Sequence, residues 1–351
     1  MARPFSPLPL YLASAYSLLA IYGSLYPLTD WRHSGAPLTA FLGNEWPRYT
    51  TTFDIAINVG AYLPLGFLWV AALRQRLTPL AAVGAAVLIG TTISLGMEVL
   101  QNFLPSRVPS NLDLACNAMG ALAGALAGAV WGRSMLDGGR LDSLRRRWFV
   151  AGKMPDAGLL LIWLWLLTQF NPDTLLFGNG SLRSLLDVPA PLDYSAGSFV
   201  RIEAAIVGAH TLAIALIVSL LARPWHPGLA PGIVGAGLAA KSFALLLMMH
   251  GSAGLAWATP GSVGGLVTGL LLWFLATPLQ PRWQRALAAL ALLVATTLVN
   301  IAPENPYLAH TYQTWNPGQF LNFHGLTQLA SNLWPFLALP WLILTRTDNE
   351  L

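Results

Sequence analysis

The sequence predicts an all-α protein, a polytopic transmembrane bundle of about ten helices with both termini in the cytoplasm. Three observations carry this. Hydrophobic residues make up 55% of the 351 and charged residues only 10%, against roughly 25% charged in an ordinary soluble domain. Apolar runs recur along the whole chain, and about twenty such residues in a helix cross the hydrocarbon core of a bilayer. Lys and Arg are also split unevenly between alternate loops, as the positive-inside tendency requires.

The runs fall in order near 9–28, 54–73, 79–104, 113–132, 156–170, 199–222, 229–249, 261–277, 286–302 and 326–345. The first follows a basic, Pro-containing start and lacks a small-x-small cleavage site, so it reads as a retained helix rather than a signal peptide. The fifth, AGLLLIWLWLLTQF, is short enough to be re-entrant or interfacial instead of spanning. Pro and Gly punctuate the later connections, as in RPWHPG and TPLQPRW. With ten helices and a cytoplasmic N-terminus, thirteen basic residues lie in inner segments and five in outer ones (Arg32, Arg48, Arg107, Arg183, Arg201). The stretch 133–155 carries six basic and two acidic residues between apolar blocks. It reads as a basic cytoplasmic linker between a four-helix module, 1–132, and a six-helix module, 156–351.

Several function classes are disfavoured by composition. Cys116 is the single cysteine, so neither an intrachain disulfide nor a Cys/His metal cluster can form. The net charge of +4 resides in loops, where it directs topology, and implies no nucleic-acid partner. No nucleophile elbow, phosphate-binding glycine loop or HExxH motif is present, so no cofactor and no metal are expected. Membrane lipids are the partners that the composition implies; the oligomeric state is not legible.

The polar residues of the first module are few and patterned. FDIAINVG at 53–60 and LDLACNAMG at 112–120 each read Asp, branched apolar, Ala, variable, Asn. Asp54 and Asn58 are four apart, as are Asp113 and Asn117, so each pair shares a helix face. Glu98 and Gln101, three apart near the end of the third run, do the same. Given the predicted topology, three helices bring these six side chains to the outer leaflet, with Arg107 in the connecting loop above them. Bland readings stand beside the functional one. Asp54 and Asp113 sit where an aspartate caps a helix, and the Asn residues could serve as interhelical hydrogen-bond glue. The glycines of GALAGALAGAVWG read as close-packing positions. Glu98 is disfavoured by the dipole at its own helix terminus and needs a partner, for which Arg107 is the candidate.

DIAINVGAYLPLG followed by EVLQNFLPSRVPSNLDLACNAMGALAG resembles the signature of VanZ-like membrane proteins. The matching positions are Asp54, Asn58, Pro64, Leu65, Gly66, Glu98, Gln101, Arg107, Asp113, Asn117 and Gly120, within roughly residues 10–132. Some members carry a further acid shortly after the Arg, where this chain has Ser110. The resemblance implies a multi-pass protein of the bacterial inner (plasma) membrane and a cell-envelope theme linked to teicoplanin resistance. It implies no reaction. The reading favoured is non-catalytic: Asp54, Asn58, Glu98, Gln101, Arg107, Asp113 and Asn117 bind an amphiphile, either a lipid-linked cell-wall precursor or a glycopeptide. The alternative is an enzyme or transporter acting on polyprenyl- or phospholipid headgroups, with carboxylates holding Mg²⁺.

The second module carries no recognised signature. His210 lies two turns beyond Glu203 on one face, and Lys241 and His210 fall at similar predicted depth. Such a pair suits a proton relay or transport site; the plain alternative is a snorkelling lysine and a hydrogen-bonded histidine. The last outer loop holds Glu304, His310 and His324 among Tyr307, Tyr312, Trp315 and Phe320, an interfacial belt or a sugar-facing surface.

Overall fold

A computed structural model describes residues 7–33, 35, 37–47, 51–135, 139–186, 188–222, 226–248, 254–303 and 321–345. Among these there are twelve α-helices and no strand. They are α1 (Leu8–Leu25), α2 (Thr52–Leu73), α3 (Pro79–Gln101), α4 (Asn111–Met135), α5 (Arg140–Trp148), α6 (Lys153–Thr168), α7 (Leu182–Leu185), α8 (Ala196–Leu221), α9 (Leu229–Met248), α10 (Pro260–Ala276), α11 (Pro281–Ile301) and α12 (Leu321–Leu344). All ten apolar runs carry a helix. Among the described residues seven helices are long and apolar enough to cross a membrane, and Pro260–Ala276 is a shorter apolar one.

The helix starts follow local chemistry more closely than hydropathy. Thr78 and Thr259 accept backbone N–H bonds from Ala81 and Ser262, each with Pro in the first helical position. Pro281 likewise opens α11, five residues before its apolar run begins. The polar turn PRWQR is helical even though it is not apolar, which a hydropathy reading misses.

The chain divides into two compact units, Met1–Arg147 and Trp148–Leu351. In the first, α2 and α4 pack backbone to backbone. A Cβ added at Gly120, Gly124 or Gly66 would overlap the carbonyls of Val59, Leu63 and Ala121 respectively. Small residues at four-residue spacing permit that approach, as the sequence suggested. Tyr62, Leu65 and Ala121 form the centre of this contact, with α1 and α3 alongside.

In the second unit α8 is the central helix, with 72% of its most apolar window buried. Gly261, Gly265 and Gly269 of α10 lie against Val200, Glu203, Ala204, Gly208 and Thr211 of α8. The fifth apolar segment is short: α6 has 16 residues, about 24 Å of helix against a hydrocarbon core of about 30 Å. It continues as a non-helical stretch, 169–180, in which Asn171, Leu176, Phe177 and Asn179 are buried. Pro335 inside α12 explains how this stretch is held. Proline has no N–H to give the carbonyl four residues back, so the Ser331 carbonyl is free, and it accepts the Gly180 N–H at 2.8 Å.

Candidate functional site

The polar residues of the first unit collect at one end of its bundle, where α2 and α4 begin and α1 and α3 finish. Each repeat extends one residue pattern further than the sequence reading recognised. Thr51 caps α2: its hydroxyl accepts the Asp54 N–H at 3.1 Å, and the Asp54 carboxylate accepts the Thr51 N–H at 3.0 Å. Ser110 occupies the matching place before α4, its hydroxyl accepting the Asp113 N–H at 3.3 Å. Thr51-x-x-Asp54 and Ser110-x-x-Asp113 therefore share the hydroxyl half of one capping arrangement, a signal readable as S/T-x-x-D before an apolar run, but only Asp54 returns the bond to the cap N–H.

The two aspartates differ in surroundings. Asp54 is exposed, and its carboxylate and backbone N–H both bond back to Thr51, which supports its bland reading. Asp113 is half-buried, with Asn58 of α2 as a side-chain hydrogen-bond partner and Asp54 near enough to act on it electrostatically. The Asp–Asn alignment expected within each helix thus becomes a cross-helix contact.

Glu98 does not pair with Arg107. It is 3% exposed, and its carboxylate accepts the Ser110 N–H at 2.7 Å. The carboxylate sits at the C-terminal end of α3 but also at the N-terminal end of α4, where free amides and the positive dipole end favour an anion. That second helix terminus meets the requirement assigned to an arginine from sequence alone. Arg107 instead donates through Nε to the Tyr26 carbonyl at 3.1 Å, and through a second guanidinium nitrogen to the same oxygen. Gln101 turns the same way, donating to the Ser24 carbonyl at 3.1 Å and hydroxyl at 3.2 Å. These two residues fasten the end of α1. Partial burial lowers the Arg107 guanidinium from its ordinary pKa by desolvation, yet a guanidinium stays charged.

Below Glu98 the polar series continues into the bundle. Ser94 is fully buried and accepts from the Asn117 amide at 2.9 Å, and Tyr62 is a further partner of Ser94. Among the described residues the buried Asn117 carbonyl oxygen has no hydrogen-bond partner, a rare condition for a buried acceptor. From Asp54 to Tyr62 is two helical turns, about 12 Å of descent. A ladder of Asp113, Asn58, Glu98, Ser94, Tyr62 and Asn117 thus runs inward between apolar helices, exposed at its top and closed at its foot. Thr51, Tyr62 and Ser94 went unnoticed in the sequence, and Ser110 was noted only as a departure from the family pattern, not as a cap. The first and last had the capping signal; Tyr62 and Ser94 had none beyond falling one turn inside Asn58 and Glu98.

Residues 11–132 match the family model VanZ/LLP1. Over this stretch the chain is similar to VanZ-like proteins. The match encloses every residue of the ladder and all of α2 and α3, and it ends within α4. No curated protein and no solved structure matches the chain. With its apolar helices, the VanZ-like unit belongs to an integral, multi-pass membrane protein.

The second unit arranges its polar residues differently from expectation. His210 is buried, its Nδ1 lying 3.2 Å from the Ile206 carbonyl of its own helix. Glu203 is buried and accepts from the Ser262 hydroxyl at 3.0 Å. Lys241 neither snorkels nor meets His210: it is 2% exposed, and its ammonium donates to oxygens of the 171–174 turn. His324 lies 3.1 Å from Asp173. Glu304, Tyr307, His310, Tyr312, Trp315 and Phe320 lie outside the described residues.

Proposed function

We propose that the VanZ-like unit receives the polar headgroup of an amphiphile resident in the bacterial inner membrane, with its apolar tail left against the surrounding helices. The observation that carries this is the Asn117 carbonyl oxygen, buried and unpaired at the foot of a polar ladder that opens at one end of the bundle. The cytoplasmic termini predicted from the basic residues put that opening on the outer side.

The lining selects the ligand chemistry. Glu98 and Asp113 supply carboxylate oxygens and Asn117 a carbonyl oxygen, with the capping carboxylate of Asp54 adding negative charge near Asp113, while the cation among the seven residues, Arg107, turns to Tyr26. Acceptors and negative charge suit hydroxyl, amide and amino donors, and repel phosphate. The saccharide and amide portion of a lipid-linked cell-wall precursor, or of a glycopeptide, meets that requirement.

The test is binding of a fluorescent lipid-linked saccharide precursor and of a teicoplanin-type glycopeptide to the chain in nanodiscs. Loss of a hydrogen bond to a charged acceptor is worth about 1.5–3 kcal/mol, so Asp113→Asn should weaken binding about 10- to 100-fold. Asn117→Ala should weaken it as well. Equal affinity in folded wild type and variants, or no binding of either probe, would exclude this reading.

A further inference from the structure

The buried ammonium of Lys241 identifies a second site, in the other unit. It donates to the Asn171 carbonyl at 2.6 Å and the Thr174 carbonyl at 2.7 Å. The Thr174 hydroxyl at 3.2 Å and the Pro172 carbonyl at 3.4 Å complete the set. Four oxygens from one four-residue turn thus converge on one positive charge. No carboxylate bonds to it: Asp173 acts on it electrostatically but lies 3.1 Å from His324. Oxygen dipoles alone meet the charge directly, as carbonyl rings do for a desolvated alkali cation.

The turn does not owe its shape to the lysine alone. Asn171 folds it locally, its side-chain oxygen accepting the Asp173 N–H at 3.0 Å. Downstream, Phe177 and Gly180 adopt positive φ values of 58° and 89°, and Gly180 is anchored to the Ser331 carbonyl and to the Asn300 amide, each at 2.8 Å. Non-helical backbone inside a membrane bundle persists where protein or a lined cavity satisfies it, and unwound carbonyls at such breaks are where transport proteins hold small cations. The residue choice agrees. The chain has 19 Lys and Arg residues and its lysines are Lys153 and Lys241; a compact ammonium fits converging carbonyls that a planar guanidinium would not.

We infer that the Asn171–Thr174 turn is a binding site for a small monovalent cation, of which the Lys241 ammonium is the occupant in this structure. Potassium and free ammonium match the size of the resident group; lithium is too small to touch all four oxygens, and choline is too large to enter.

The experiment is thermal unfolding of Lys241→Ala in detergent, in potassium, ammonium, lithium and choline chlorides at matched ionic strength. Occupied sites stabilise by mass action, so potassium and ammonium should raise the variant's midpoint by about 3 °C or more over choline and lithium, saturably, with wild type indifferent to the choice. Equal midpoints in all four salts, or the same preference in wild type, overturn the inference. If Lys241→Ala yields no folded protein in any salt, wild type decides through its two ¹⁵N-labelled lysine ammonium signals, assigned with Lys153→Arg. A Lys241 ammonium exchanging protons with water far more slowly than Lys153 supports an occupied cage. Exchange as fast as that of Lys153, or a neutral Lys241 amine, overturns it.

Discussion

Replacing Glu98 by Gln and by Ala separates two reasons for keeping an acid 3% exposed inside an apolar bundle. Among the described residues its carboxylate accepts the Ser110 N–H at 2.7 Å, where α4 begins. Glutamine presents a carbonyl oxygen to the same amide. It forgoes the charge assistance and the dipole interaction, worth about 0.3–2 kcal/mol. It also removes an anion whose burial costs several kcal/mol and which lies within electrostatic reach of Asp113. These effects oppose each other, so Glu98→Gln should leave the unfolding midpoint unchanged or raise it. Alanine deletes the acceptor, strands the Ser110 amide and opens a cavity. The stranded amide alone costs about 1–3 kcal/mol, which at roughly 2–4 °C per kcal/mol is a fall of about 2–12 °C. Thermal unfolding of the purified protein, followed by circular dichroism or intrinsic fluorescence, reads both. A loss in Glu98→Gln as large as in Glu98→Ala would refute the reasoning, because the negative charge itself would then be holding the fold. A stable Glu98→Gln protein that binds envelope amphiphiles more weakly would show an acid retained at the expense of stability, as functional carboxylates often are.

Three other substitutions test the packing and its hydrogen bonds. Gly124→Ala puts a Cβ onto the Leu63 carbonyl of α2, while Gly60→Ala meets nothing within 4 Å; the first should lose at least about 1–3 kcal/mol and the second gain about 0.5–1 kcal/mol from helix propensity, compared by unfolding midpoint. Pro335→Ala restores an N–H that competes for the Ser331 carbonyl, so the Gly180 amide should lose hydrogen-exchange protection while the amides of α8 keep theirs.

The sequence alone specified the class of the protein, its ten principal helices and the small-residue packing face of α4. Hydropathy, glycine spacing and caps are local properties, and each acts over a turn or two of chain. The Asp-x-x-x-Asn repeat and Glu98 were legible for the same reason, as polar residues at helical spacing in apolar runs. Their partners were not. Arg107 was the sensible sequence-based mate for Glu98, nine residues away, yet the tertiary structure turns it to Tyr26 and gives Glu98 the start of α4 instead. Lys241 was placed at mid-membrane by its position in α9, but its oxygens come from a turn some seventy residues earlier in the chain. The free Ser331 carbonyl follows from Pro335, whereas its use by Gly180 follows only from where α12 lies. Burial and partner choice are set by which helices meet, and that depends on contacts between segments far apart in the sequence, which no window of neighbouring residues contains.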